Sequence, residues 1–387
     1  MNALYLTNKP IYPTIDGGCV AMASFLNHLL NIHEKVDHLT VSTYKHPFDS
    51  SKYNIKLQDN FRLHAIFINT KISILKAFLN LFSKSSYHVI RFFSRNFENK
   101  LIELLKNKYD IIYIESIFLL PYLKTIRKHS NAKVILRTPN IEYKIWEKQL
   151  VNCKNPFEKL YLKHLTKNLK RFEIKQYSLV DGILSISNHD ENFIRSITTS
   201  TPILNLPFAI KTNEVESIKM NHFFFIGAYN WRPNLDAVLY LLKELFPTIL
   251  NKYPDAKLHI AGSFTPDFLY EFNSKNVTIH GKVESVKQFM SNHGILLAPI
   301  FSGSGVRIKI LEALSIGIPV IGTSLALQGI HCKACFTAEN KLDFLDKIDF
   351  INKTVISDIQ KEAIEYININ YHPTEIEKQL NDFISSC

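Results

Sequence analysis

No stretch of this 387-residue chain approaches the roughly 18–20 consecutive apolar residues of a membrane-spanning helix. Its opening, MNALYLTNKP, lacks the charged start and apolar core of a secretory signal. Both absences lead us to expect a cytoplasmic chain. Cysteine is scarce: five, an odd number spread through a large chain, fit a reducing compartment rather than a disulfide framework. Cys332 and Cys335 form a lone CxxC beside His331, with no second pair to complete four zinc ligands, so the sequence names no metal site. No DxD pair of carboxylates occurs anywhere, which removes the usual means of holding a diphosphate through a divalent ion. No internal repeat or low-complexity tract is evident.

What is present is apolar residues at 46% and aromatics at 12%, ample for burial over a length that suits two domains of roughly 150–200 residues. Charge divides the chain. Residues 1–210 carry 29 Lys+Arg against 16 Asp+Glu, a net of +13, and residues 211–387 carry 17 against 19, a net of −2; together they give the overall +11. Between Lys71 and Lys108, eight basic residues face only Glu98 and Glu103 among apolar residues such as Phe78, Phe92, Phe93 and Phe97. A second basic run extends from Lys144 to Lys175. Basic amphipathic helices of this kind are attracted to anionic lipid, at about 1 kcal/mol per basic residue near the surface. The plain alternative is solvated helix faces in a lysine-rich chain. A nucleic-acid partner is not expected, because no helix-turn-helix, zinc or RNA-binding signature accompanies the charge.

Short apolar runs alternate with helical patterns, which predicts two doubly wound α/β halves. Strands are expected at ALYLT (3–7), HLTVSTY (38–44), FRLHAIFI (61–68), DIIYIES (110–116), AKVILRT (132–138) and DGILSIS (181–187). A helix is expected near 20–30, and basic helices within 71–108. Residues 209–221 read as a linker, the second half alternates strand and helix to about residue 355, and the end is helical apart from a break at Pro373. Ser187 and Asp190 fit a plain capping pair.

The most informative segment is FSGSGVRIKILEALSIGIPVIGT (301–323). The apolar run ILLAPI (295–300) leads through a turn of Ser302, Gly303, Ser304 and Gly305 into an amphipathic helix ended by Gly317. Such a helix start offers free N–H groups and a positive dipole end to an anion, and glycines let the ligand approach the backbone. Arg307 and Lys309 add two positive charges. Glu312, about two turns beyond Ser304, is placed to accept hydrogen bonds from a sugar's hydroxyls. A buried βαβ unit with solvated Arg307 and Lys309 is the alternative from the residues alone.

These segments, with FIGAYNWRPNLDAVLYLL (225–242), LHIAGSF (258–264), VTIHGKV (277–283), TIDGG (14–18) and LRTPNIEYKIW (136–146), resemble in their order the family-4 retaining glycosyltransferases of the GT-B fold, in a bacterial branch that builds surface polysaccharides. The resemblance implies two Rossmann-like domains facing a central cleft: 1–208 on the acceptor side, 209–366 for the nucleotide sugar, and a helix at 367–387 crossing back to the first domain. It implies hexosyl-type transfer from a nucleoside-diphosphate sugar to a glycan or lipid-linked acceptor in cell-envelope synthesis, with no metal or other cofactor. The chain would work on the inner face of the cytoplasmic membrane, held by its basic half. Arg307, Lys309 and Glu312 would carry the chemistry. Donor contacts would come from Gly17, Gly18, Asn230, Arg232, Val283, Ser302, Gly303, Ser304, Gly305 and Thr323, which lie in loops at the carboxyl ends of strands, and the acceptor side from Asn140 and Glu142.

Two positions depart from the family pattern. Ser304 stands where many relatives carry the first of two glutamates, and Pro139 where many carry a histidine. A non-catalytic, membrane-associated nucleotide-sugar binder and a sugar-nucleotide epimerase of the same fold are the competing functions.

Overall fold

The computed structural model describes residues 1–14, 17–53, 59–73, 80, 81, 83, 85–153, 155–213, 215–303 and 307–387. The chain divides into two compact units, Met1–Phe208 with Glu377–Cys387, and Ala209–Ile376.

The first unit contains β1 (Asn2–Thr7), α1 (Gly17–Ile32), β2 (Lys35–Ser42), β3 (Phe61–Phe67), α2 (Arg95–Leu104), β4 (Ile111–Glu115), α3 (Leu123–His129) and β5 (Lys133–Thr138). There follow α4 (Glu142–Asn152), α5 (Pro156–Tyr177), β6 (Gly182–Ser185), α6 (Asn188–Ile197) and β7 (Ile203–Asn205). All seven strands are parallel, in the order β3-β2-β1-β4-β5-β6-β7. A parallel sheet is covered on both faces, so its central strands are continuous apolar runs: Ala3 to Leu6 and Ile111 to Ile114 are at most 1% exposed.

Strand β2 begins at Lys35, earlier than the apolar pattern suggested, because Lys35–Asp37 pair with Asn2–Leu4. Across Lys71–Lys108 the described residues form α2 and a single turn at Tyr87–Ile90; the rest of the expected basic helices falls on residues 74–79, 82 and 84, which lie outside the described set. Several of the described aromatic residues there pack inward or on other rings. Phe97 is buried, Phe92 stacks on Phe118 and Phe93 on Tyr122. An outward basic face lies on α5, where Lys159, Lys163, Lys167, Arg171 and Lys175 recur every fourth residue and are all exposed.

The second unit repeats the architecture. It has β8 (His222–Ile226), α7 (Arg232–Tyr240), α8 (Phe246–Lys252), β9 (Lys257–Ala261), β10 (Val277–Gly281), α9 (Val286–Asn292), β11 (Ile295–Ala298), α10 (Ile308–Ser315), β12 (Val320–Gly322) and β13 (Cys335–Thr337). Helices α11 (Lys341–Lys353), α12 (Ile356–Tyr371) and α13 (Pro373–Ser386) close the chain, broken at His372. The six strands are parallel in the order β10-β9-β8-β11-β12-β13. The order reverses between β8 and β11, and the loops after those two strands flank the crevice where doubly wound sheets take their ligands. Helix α10 ends where Gly317 adopts a left-handed φ of +80°, a conformation that penalises any Cβ. The segment read as a linker is tied to that helix end, through Asn213 N–H to Ser315 O at 2.9 Å and Val215 N–H to Ile316 O at 3.2 Å.

Candidate functional site

At the reversal point, Gly227 follows β8, Trp231 caps α7, and Arg307 caps α10 after the loop from β11. Asn234 ties the two loops together: its Nδ2 donates to Ala228 O at 2.9 Å and its Oδ1 accepts from Lys309 Nζ at 2.7 Å. Only glycine fits at 227, because a Cβ would stand 2.7 Å from Asn234 Nδ2 and 2.9 Å from Lys309 Nζ. Gly303 is constrained twice, by a φ of +102° and by the Trp231 ring, which a Cβ would meet at 3.0 Å. Arg307 Nη2 donates to Ser302 O at 3.4 Å, and the guanidinium lies 5.3 Å from the Trp231 ring centroid. Lys309 Nζ stands 4.0 Å from the centroid of Phe225.

The electrostatics follow from this packing. Arg307 is only 5% exposed, and burial lowers its pKa from the ordinary guanidinium value. Lys309 is pushed down to about 7 by burial and then by Arg307, with Glu312 acting in the opposite direction. Glu312 is pushed up to about 7 by burial, against the pull of Lys309. Lys309 and Glu312 are three residues apart and share a helix face. Two cations crowded at a helix N-terminus cost free energy until an anion arrives, and an arriving anion would favour the charged form of Lys309 beside the permanently charged Arg307.

Ser302, Gly303, Arg307, Lys309 and Glu312 are thus brought together; Ser304 and Gly305 lie outside the described residues. Asn230 is exposed just after β8. Arg232 is turned along its own helix, 76% exposed and paired with Asp236 at 2.8 Å, so it does not join the other two cations. Val283 is half-buried between β10 and α9. Thr323 is buried, its hydroxyl donating to Ile300 O and accepting from Ala326 N–H at 3.1 Å, a connection that holds the loop after β11.

In the first unit Gly17 and Gly18 are the exposed first residues of α1. Asn140 and Glu142 flank Ile141, the N-cap of α4, and Asn140 O accepts from the Thr138 hydroxyl at 2.7 Å. The capping carboxylate comes from elsewhere. Glu173 of α5 accepts from Glu142 N–H at 3.0 Å, Tyr143 N–H at 2.9 Å and the Tyr177 hydroxyl at 2.7 Å. Burial, then the charge of Glu173, pushes the Glu142 carboxyl up to about 8. Ser187 caps α6 as expected, accepting from Asp190 N–H at 3.1 Å.

Gly227, Phe225 and Glu173 were not singled out from the sequence. Gly227, placed directly after the buried run FFFI, carried a usable signal, whereas nothing local marks Glu173 as the cap of a different helix.

With this geometry in view, comparison with known proteins is informative. Residues 221–351 match the family model of the group 1 glycosyl transferases. The chain is similar to the uncharacterized 44.6 kDa protein in the cps region of Klebsiella pneumoniae, at 23% identity, covering 94% of this chain and 95% of that one. Among solved structures it is similar to sucrose-phosphate synthase of Thermosynechococcus elongatus, with a TM-score of 0.68, 12% identity, and coverage of 100% and 99% of the two chains. It is also similar to HepE of Anabaena in complex with UDP and glucose, with a TM-score of 0.66, 11% identity and full coverage of both chains. A mutant of S. aureus TarM in complex with UDP, fondaparinux and α-GlcNAc-glycerol gives a TM-score of 0.66 at 11% identity, over 99% of this chain and 100% of that one. These likenesses establish the GT-B fold.

Proposed function

We propose that this chain, a group 1 glycosyltransferase of the GT-B fold, transfers a sugar from a nucleoside-diphosphate sugar to an acceptor hydroxyl in the synthesis of a surface polysaccharide. The observation that carries this reading is the meeting of Arg307 and Lys309 at the head of α10, beside Gly303 and Asn234. As the bond from the anomeric carbon to the diphosphate breaks, negative charge grows on the leaving oxygen. Arg307, Lys309 and the helix N-terminus meet that charge where it develops, so no divalent ion is needed. Glu312, further along the same helix, accepts hydrogen bonds from the nucleotide's ribose. No side chain in this group is placed as a covalent nucleophile; a front-face exchange, in which the leaving diphosphate takes the acceptor's proton, gives retention without one. Glu142, protonated near neutral pH, offers a hydrogen-bond donor on the acceptor side. UDP in the HepE and TarM complexes supports the donor class, and the cps-region relative supports the destination of the sugar.

The depressed Lys309 supplies the test. Its folded pKa lies near 7 without ligand, so at pH 8 it is mostly neutral, while a bound diphosphate favours the charged form. Calorimetry of UDP or GDP at pH 8, in buffers of different ionisation heat, should therefore show uptake of nearly one proton per nucleotide, absent in Lys309→Met. Glu312, largely ionised at that pH, contributes little. Affinity should fall as pH rises above 7. Binding without proton uptake would remove Lys309 from the phosphate.

The basic half serves the acceptor, on this reading. No helix among the described residues is long and apolar enough to cross a membrane. The exposed stripe Lys159, Lys163, Lys167, Arg171 and Lys175 on α5, with Leu160 71% exposed beside it, suits an anionic surface that presents a lipid-linked acceptor. Flotation should show binding to anionic vesicles that is lost above physiological salt, where the Debye length drops below about 8 Å. Lys159→Gln with Lys163→Gln and Lys167→Gln should release the protein without changing nucleotide affinity. Equal binding to neutral vesicles would assign the charge to an acidic glycan instead.

A further inference from the structure

One group of side chains in the second unit has no part in donor binding. Strand alternation places His222 of β8, His259 of β9 and His280 of β10 on one face of the sheet: Phe224 and Thr278 are the register partners of His259, and His222 and His280 stand two residues from them. The register slips between Ile279 and Gly281, so His280 sits at a bulge, a device that re-aims a side chain. His293, which closes α9, lies over them, its ring centroid 4.0 Å from His259 and 5.2 Å from His280.

One ligating nitrogen from each of His259, His280 and His293 lies within 4.8 Å of the other two. His259 Nδ1 and His280 Nε2 are 3.2 Å apart. That is close to the edge of a tetrahedron, about 3.3 Å, set by zinc–nitrogen bonds of roughly 2.0–2.1 Å. Two of the three remaining ring nitrogens are held as metal-bound imidazoles usually are. His293 Nδ1–H donates to Phe289 O at 2.6 Å, which leaves Nε2 for an ion, and His259 Nε2 lies 3.1 Å from His222 Nδ1, its acceptor once Nδ1 is bound. Three neutral nitrogens suit Zn²⁺ and its neighbours; Mg²⁺ and Ca²⁺ require oxygen.

We infer that His259, His280 and His293 bind one divalent transition-metal ion of the Zn²⁺ class, with solvent as fourth ligand, and that the ion staples the edge strand β10 to the end of α9. The strand order puts this ion on the β9–β10 side of β8, whereas the phosphate cations follow β11 on the other side. It is therefore distinct from the metal-independent donor site.

The test uses the full chain, stripped with EDTA and desalted, with Zn²⁺ titrated against a chromophoric chelator. One ion per chain should bind, and His280→Ala or His293→Ala should abolish it. His280 is exposed, so its replacement leaves the core intact, which the melting curve of the metal-free variant checks. His222→Phe removes only the outer acceptor and should weaken affinity about 10- to 100-fold. Co²⁺ should give tetrahedral d–d absorption without a thiolate charge-transfer band. The inference is overturned by absence of saturable binding in the wild type, by binding that survives both histidine variants, or by a thiolate band lost in Cys332→Ser.

Discussion

Arg307→Ala should weaken the binding of UDP or GDP by roughly 10- to 150-fold, because a charge-assisted hydrogen bond to phosphate contributes about 1.5–3 kcal/mol. Its effect on turnover should be greater than its effect on ground-state binding. Removing a donor aimed at developing charge costs on the order of 10²–10³ in rate. The guanidinium is buried against Trp231 and held by Ser302 O, so it is pre-positioned and need not reorganise as the donor bond breaks. Arg307→Lys keeps a charge but loses the planar fork and should fall between the two. Arg232→Ala is the control: that residue is exposed and paired with Asp236, and its loss should leave affinity unchanged. Calorimetry separates a functional role from a structural one. A folded Arg307→Ala protein with undiminished affinity would refute the assignment.

The largest stability effect should come from a different arginine. Arg137 is 1% exposed in the first unit, its Nη1 donating to Glu115 Oε1 at 2.5 Å and its Nη2 to Ala21 O at 3.3 Å, with the Phe25 ring 4.8 Å from the guanidinium carbon. The Tyr5 hydroxyl donates to the other Glu115 oxygen at 2.7 Å. Glu115 and Arg137 are register partners at the carboxyl ends of β4 and β5, and the contacts to Ala21 and Phe25 fasten α1 over them. Arg137→Met leaves the Glu115 charge buried with only a tyrosine for company, which should cost about 3–5 kcal/mol. For a unit of this size that lowers its melting temperature by roughly 6–20 °C. Adding Glu115→Gln removes the stranded charge and should recover much of the loss, since a buried ion pair stabilises little over a neutral replacement. A double variant no more stable than Arg137→Met alone would show that packing of the guanidinium, rather than charge, is what matters.

Much of this was legible in the sequence, for a physical reason. Strands covered on both faces must be apolar throughout, so ALYL, IIYI, FFFI and ILLA announced themselves, and their alternation with helices fixed the doubly wound class. The helix that starts at Arg307 was equally visible, because its pattern is local. Contacts between distant segments were not. Lys309 and Asn234, 75 residues apart, are joined by a hydrogen bond that only the folded sheet creates, and Glu173 caps a helix that begins 31 residues before it. In the basic stretch 71–108 the charge pattern does not say which way a phenylalanine turns: Phe97 is buried and Phe92 is stacked, while the second basic run, from Lys144 to Lys175, contains the exposed stripe of α5. The four histidines follow no ligand spacing along the chain; the sheet register gathers three of them, and the end of α9 brings His293 over them.

The central claim is that the second unit holds a nucleoside diphosphate with its own cations and no divalent ion. The most direct measurement is calorimetric titration of the wild-type chain with UDP and with GDP in the presence of EDTA. Saturable binding at one nucleotide per chain, unchanged when Mg²⁺ replaces EDTA, is the expected result. Binding of neither nucleotide, or binding that appears only with Mg²⁺ or Mn²⁺, would contradict it.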